Sequence, residues 1–368
     1  MAASLILVSV SPGEQRTALW RDERLDAAFI ERPFDPEGLD DLHVGRLAAR
    51  APAMAGAFVA LAGGATGFLP DSDGARGRSE GEWLRVRIAR AAQGGKGPRL
   101  AVVPGDVVTG PLRRLAAGPD APLRLAQAFP ELPVRVDHAA TAARLRGVLG
   151  RQRVELVRSS AFEEAVEEEF SLLGAQEVLL PGGGRLTLHP TPALLAIDID
   201  AGHQAGGRDA AAHRALNARA LAEVARQIRL RHAAGAILID MAGLTAARRR
   251  DLLPGFAETL RADPLARLVG LTGLGLLEVQ RRRVRRPLHE ILGLPPSPLS
   301  RGLAALRQGL RTAHQQPGAR LMLTAPPSVL RALRQAGDTL QIFAAEAGSL
   351  ELCPDPLCPV GEEHIHAR

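Results

Sequence analysis

The first thirty residues alternate weakly between apolar and polar positions. Residues 5–10, 17–20 and 27–30 read as a strand meander, with Pro12-Gly13 and residues 21–24 as its turns. Residues 32–43 carry two prolines and four carboxylates and read as a connector. Residues 44–47, 56–61, 66–69, 83–89 and 100–103 then form five short strands; the fourth sets Leu84, Val86 and Ile88 against Arg85 and Arg87. That many short strands in so compact a stretch predicts a small OB-type barrel.

From residue 105 the pattern becomes mixed. Strands are predicted over 134–137 and 153–158, and helices over 139–149 and 162–173, the latter with Phe162, Val166, Phe170 and Leu173 at helical spacing. Pro181-Gly-Gly-Gly184 reads as a hairpin turn between strands; no Lys-Ser/Thr follows, so it is not a phosphate loop. Strands over 185–189, 194–200 and 236–240, a long helix over 208–234, a helix over 246–262 and an extended 268–280 follow. Residues 290–299 are rich in proline and read as a linker to a small α/β domain over 300–368. The chain is thus expected to be multi-domain α/β, and 368 residues suit two to three domains.

Composition narrows the classes. With 46% hydrophobic and 23% charged residues, disordered and fibrous classes are excluded. Residues 51–70 lack charge over a bilayer-spanning length, but Pro52, Pro70 and Gly56, Gly63, Gly64 and Gly67 interrupt them, so they read as two strands around a glycine turn. The opening MAASLILVSVSPGEQR has no basic n-region; no signal peptide or membrane is expected, and the location expected is cytoplasmic. The net charge of +6 rests almost wholly on arginine, Lys96 being the single lysine, and suits a nucleic-acid partner. Two cysteines exclude a disulfide scaffold. Cys353-x4-Cys358 followed by His364 and His366 is a loose zinc spacing, and structural zinc is not expected.

The sharpest chemical signal is Asp198 plus Asp240, each closing an apolar strand (LLAID, AILID) with a helix between. A right-handed strand–helix–strand unit makes the strands parallel and brings both carboxylates to one sheet edge. Asp200, two residues on, shares the face of Asp198. Such a cluster calls for a hard cation, Mg²⁺ or Mn²⁺, so Asp198, Asp240 and Asp200 are the candidate metal ligands. An Asp at a strand end is also a common turn or cap residue, and the matched pair is what lifts these above it. Arg208, Arg214, Arg219, Arg226, Arg229 and Arg231 on the long helix, and Arg281-Arg282-Arg283-Val-Arg285-Arg286, form a phosphate footprint, or else a solvated face in an arginine-biased chain. In the barrel, Phe58 and Phe68 are candidate base-stacking platforms, Phe68 expected exposed and Phe58 open between core and surface, with Lys96 as a backbone-phosphate contact.

The segments VLLPGGGRLTLHPTPALLAIDIDAG, NARALAEVARQIRLR, GAILIDM and GLTGLGLLEVQRRRVRRPL, in that order, resemble the signature stretches of the ribonuclease E/G family; GAFVALAGGATGFLP and GGKG resemble its S1-type RNA-binding domain. The resemblance covers residues 1–290, weakly over 105–160. It implies an RNase H-like domain (1–40 plus 105–183) with an inserted S1/OB barrel (41–104), then a DNase I-like catalytic domain (184–289), with the small domain (300–368) beyond. It implies an endoribonuclease cutting single-stranded RNA to 5′-phosphate and 3′-hydroxyl ends, with Asp198 and Asp240 catalytic through Mg²⁺. It places RNA contacts at Phe58, Phe68 and Lys96. Arg281, Arg282 and Arg283 are candidate contacts on their charge.

Departures accompany the resemblance. The family Asn two after the first Asp is Asp200, the arginine of its GLTR motif is Gly273, and an acid three after the second Asp is Gly243. Residues 105–133 are too few for a 5′-end-sensing domain, and the zinc-linking Cys-Pro-x-Cys reads Leu-Pro-Pro-Ser-Pro-Leu-Ser over 294–300. The expected protein is therefore a short form with little preference for a 5′-monophosphate, compatible with but not requiring a homodimer. Two rivals stay open: a catalytically impaired RNA-binding protein, and a metal-dependent phosphohydrolase of a small nucleotide.

Overall fold

A computed structural model describes residues 4–106, 109–158, 160–202 and 210–367. It is a mixed α/β protein with several sheets, one closed into a barrel, and it divides into two compact units: 36–124 with 283–286, and the remainder.

The larger unit opens with β1 (Leu5–Ser11), β2 (Glu14–Arg21) and β3 (Arg24–Glu31), the predicted antiparallel meander.

The smaller unit holds β4 (Leu42–Ala51), β5 (Gly56–Ala60), β6 (Thr66–Pro70), β7 (Trp83–Arg90), β8 (Arg99–Val102) and β9 (Arg113–Ala116). β4 pairs with both β5 and β7, and the ring β4-β5-β6-β8-β7 closes into an OB-like five-stranded barrel, with β9 added on β4. Leu47, Ala57, Val59, Leu69, Leu84, Val86 and Leu100 alternate inward to fill it. The uncharged 51–70 stretch is the β5–β6 hairpin with its approaches, as its glycines predict. Among the described residues no helix is long and apolar enough to cross a membrane.

α1 (Ala121–Ala128) spans the boundary between the units, and the larger one continues with β10 (Val134–Val136), α2 (Ala139–Leu149), β11 (Val154–Leu156) and α3 (Glu164–Ser171). β10 and β11 extend the first sheet in parallel, in the order β11-β10-β1-β2-β3. Phe162, Val166 and Phe170 pack α3 and its approach against Leu7, Ala18 and Leu25.

A second sheet follows: β12 (Glu177–Leu179), β13 (Arg185–Pro190), β14 (Leu194–Asp200), α4 (Ala210–Leu230), β15 (Gly235–Asp240), α5 (Ala246–Arg250), α6 (Leu253–Leu260), β16 (Ala266–Leu271) and β17 (Leu277–Arg281). Its order is β12-β13-β14-β15-β17-β16, and β14–β15 is its parallel pair. α4 buries Leu216, Leu221, Val224 and Ile228 against it. The single helix expected over 246–262 is two helices. Pro254 has no N–H to donate, and its ring would clash with the carbonyl of Arg250, so the helix restarts. The extended 268–280 is a hairpin turning at residues 272–276.

The expected proline-rich linker is not one. α7 (Leu288–Leu292) buries Leu288, a tight turn follows, and α8 (Pro298–Gln315) starts at once, with the Ser297 hydroxyl accepting from Ser300 N at 3.2 Å. Ser followed by Pro at the first helical turn is a helix-start signal. The chain ends in β18 (Leu321–Ala325), α9 (Pro327–Arg334), α10 (Thr339–Ala347), β19 (Leu350–Pro354) and β20 (His364–Ala367), with β18 between β19 and β20.

Candidate functional site

The two aspartates meet as the strand pattern predicts. Asp198 and Asp240 are direct register partners at the ends of parallel β14 and β15, both exposed, while Ile197 and Ile239 beside them are buried. Partial burial pushes the Asp198 carboxyl above its usual range, and the charges of Asp240 and Asp200 add to it; His189 and Arg185 only partly offset this. Hard oxygens that repel one another suit a divalent cation.

Asp200, close enough for its charge to act on Asp198, is engaged by its neighbours. Its carboxylate lies 3.1 Å from Arg185 on the neighbouring strand and accepts from Gly202 N at 2.9 Å. Among the described residues no three acidic, histidine or cysteine side chains converge on a point. Two carboxylates suffice for Mg²⁺, which keeps several waters and leaves room for phosphate oxygens.

Arg249 is the site residue that sequence reasoning missed. From α5 it donates to Asp240 Oδ1 (2.9 Å) and to the carbonyls of Leu244 (2.9 Å), Gly275 (2.8 Å) and Met241 (2.7 Å). One guanidinium thus fixes the loop after β15, the turn before β17 and one catalytic-candidate carboxylate. The signal available was Thr245 ahead of the Ala-Ala-Arg-Arg-Arg run, a helix start shortly after Asp240. Arg249→Met is expected to lose about 1–3 kcal/mol, the cost of leaving buried acceptors unsatisfied. Chemical denaturation checks this; a change under about 0.5 kcal/mol would mean that water replaces the guanidinium.

The same loop is clamped from α4. Asn217, fully buried, donates to Ala242 O (2.9 Å) and accepts from Ala242 N (3.1 Å). Gly243 follows with φ +60°, and a Cβ there would lie 2.7 Å from the His213 ring. A side chain at 243 thus has no room while His213 keeps this place. Gly273 lies exposed in the β16–β17 turn.

In the barrel unit Phe58 and Phe68 face each other across β5 and β6, ring centroids 5.7 Å apart and edge-on. Their exposures invert the expectation: Phe58 is the more open at 37%, and Phe68 is half-buried, lying over Gly56, where any Cβ would meet its ring. Lys96 is exposed at the end of a Gly94-Gly95 turn closed by hydrogen bonds between Gln93 and Lys96.

The arginine footprint is largely internal. Arg281 is buried, its Nε on Asp263 at 2.7 Å and a terminal nitrogen on Ala233 O at 3.0 Å, so it is not available to RNA. Arg282 is exposed; Arg283 reaches Ala92 O at 3.4 Å; Arg285 pairs with Glu37 at 3.1 Å. On α4, Arg226 pairs with Glu223 and Glu169, Arg229 with Asp26, and Arg231 is buried against Leu172 and Ala175 carbonyls. Arg214 and Arg219 are exposed, and Arg208 lies outside the described residues. Cys353 and Cys358 are free thiols; Cys353 and His364 stand on opposite sides of β18, both in register with Thr324.

A mixed α/β chain with a closed OB-like barrel and a paired-carboxylate sheet edge is the class these features define. Residues 135–284 match the model of the Ribonuclease E/G family. Ribonuclease E of Nostoc sp. is 37% identical over 119 residues, 31% of this chain and 17% of that protein. Ribonuclease G of Escherichia coli K12 is 30% identical over 188 residues, 46% of this chain and 37% of that one. A chloroplastic Ribonuclease E/G-like protein of Arabidopsis thaliana is 30% identical over 139 residues, 36% and 14% of the two chains. The matches thus span well under two thirds of these relatives.

Proposed function

We propose that the protein is a Mg²⁺-dependent endoribonuclease that cuts single-stranded RNA to 5′-phosphate and 3′-hydroxyl ends. The observation that carries this is the in-register pair Asp198 and Asp240 at one sheet edge of a ribonuclease E/G segment. When bound, Mg²⁺ or Mn²⁺ supplies Lewis-acid activation of water and neutralises charge on the phosphodiester. Asp198 and Asp240 hold it, with Asp240 kept in place by Arg249. Arg185 pairs with Asp200, which stays a candidate third ligand, and lessens the local repulsion. Phe58, with Phe68 beside it, offers a face on which a base stacks, and Lys96 and Arg282 offer charge to the backbone. We place the activity in the cytoplasm, leave a homodimer compatible, and expect little gain from a 5′-monophosphate.

Two observations favour the impaired RNA-binding reading: Arg249 already occupies an oxygen of Asp240, and residue 273 brings no arginine. Metal dependence separates the two. A labelled A/U-rich single strand is expected to be cut with Mg²⁺ and left intact with chelator, while its binding persists in both. Binding without cutting in Mg²⁺ or Mn²⁺ would establish the impaired reading instead.

A further inference from the structure

We propose that the cavity enclosed by β2, α3 and α8 is a binding site for a phosphate dianion, separate from the carboxylate pair. The cavity measures about 390 Å³, and Glu14, Arg16, Glu167, Arg301, Arg307 and Arg311 are among its lining. Glu363 lines it too, and Arg32 stands directly behind Glu14.

Its charge balance is the argument. Each carboxylate is already claimed. Glu14 takes Arg32 and Arg307, both at 3.1 Å. Glu167 takes Arg16 through two contacts of 2.9 Å, with Arg307 at 3.6 Å and Arg311 at 3.8 Å. Glu363 takes Arg301 at 3.0 Å. Five guanidiniums, Arg311 among them at the exposed mouth, thus face three carboxylates, with Asp137 acting on Arg16 as a fourth; the side chains of Arg16, Arg32, Glu14 and Glu363 are 5% exposed or less. Guanidiniums outnumber carboxylates around the cavity, and an anion entering it would meet positive charge both at its mouth and inside.

The donors are also underused. The buried Nε atoms of Arg16, Arg301 and Arg307 have no hydrogen-bond acceptor. The Arg16 guanidinium lies against both Phe162 and Phe170, 4.7 and 5.3 Å from their centroids. Burial, with Arg16 and Arg311 adjacent, lowers the Arg307 guanidinium to about 10, which Glu14 and Glu167 offset only in part. Planar guanidinium forks match phosphate oxygens in geometry, and an anion complements the excess of positive charge. The volume sits at the low end of the roughly 300–1,000 Å³ of small-molecule sites, more than a bare phosphate fills. The volume leaves room beside a phosphate group, so the ligand is either the free ion or a phosphate monoester.

The test is thermal unfolding of the full chain in chelator at fixed ionic strength, titrated with inorganic phosphate, AMP, adenosine or chloride. Phosphate and AMP are expected to raise the Tm saturably, and adenosine and chloride to leave it unchanged. AMP acting at lower concentration than phosphate identifies a monoester; equal potency identifies the free ion. Arg301→Gln and Arg311→Gln are expected to raise the apparent Kd at least fivefold. Arg311 stands at the mouth with its side chain 44% exposed, so its variant folds even where Arg301→Gln does not. No saturable shift with either phosphate, or the same Kd in Arg311→Gln, overturns the proposal.

Discussion

Asp198→Asn and Asp240→Asn are each expected to slow Mg²⁺-dependent cleavage about a thousandfold, while RNA affinity stays within about threefold. A carboxylate-held cation is worth several kcal/mol of transition-state stabilisation, and about 4 kcal/mol is three decades in rate. The two carboxylates are register partners, so loss of either removes half of the pair that holds the cation in this reading. The variants part company in stability. Asp198→Asn removes a charge that Asp240 and Asp200 repel, so in chelator it is expected to unfold at the same temperature or higher. Asp240→Asn removes the charged partner of Arg249 and gains no such relief without loss. Single-turnover rates, filter binding and thermal unfolding on the same preparations check all three. Either variant retaining more than a tenth of the wild-type rate would remove the pair from the chemistry.

The parts legible in the sequence were those whose signal is local. LLAID and AILID are buried strands ending in a charge, and a helix of the right length separates them, so the parallel pairing and the shared edge follow from connection rules. The barrel strands were legible for the same reason: Leu84, Val86 and Ile88 alternate with arginines and point inward. β9 was not, because Arg-Arg-Leu-Ala has no alternation and exists by pairing with β4. α1 was overlooked although its start is written: Asp120 accepts from Leu123 N at 3.3 Å, and Pro122 lies in the first turn. Arg249 belongs to another kind. Its partners come from two loops far apart in sequence, and no local pattern of residues announces three carbonyls converging on one side chain. The exposures of Phe58 and Phe68 likewise turned on Gly56, a neighbour across the ladder.

Arg281 shows how a charge run misleads, and it carries the second large effect. Five arginines within six positions look equivalent in composition. In β17, however, Leu277, Val279 and Arg281 share the inward face, so period-two reading assigns Arg281 to the core with the two aliphatics. There it meets Asp263, itself buried, at 2.7 Å. Removing one partner of a buried pair strands the other charge at a cost of about 3–5 kcal/mol. Arg281→Ala is accordingly expected to lower the unfolding temperature by on the order of 10 °C. The double variant Arg281→Met/Asp263→Leu is expected to recover most of that loss, since an apolar pair of similar volume can replace a buried ion pair. Arg282→Ala, one residue on and exposed, is expected to leave the unfolding temperature within about 1 °C while reducing the salt slope of RNA binding by about one. The opposite pairing, Arg281→Ala stable with weakened RNA binding, would mean that the guanidinium leaves Asp263 to meet the RNA. With a 2.7 Å contact, a second bond to Ala233 O and 6% exposure, the fold gives it no path to do so.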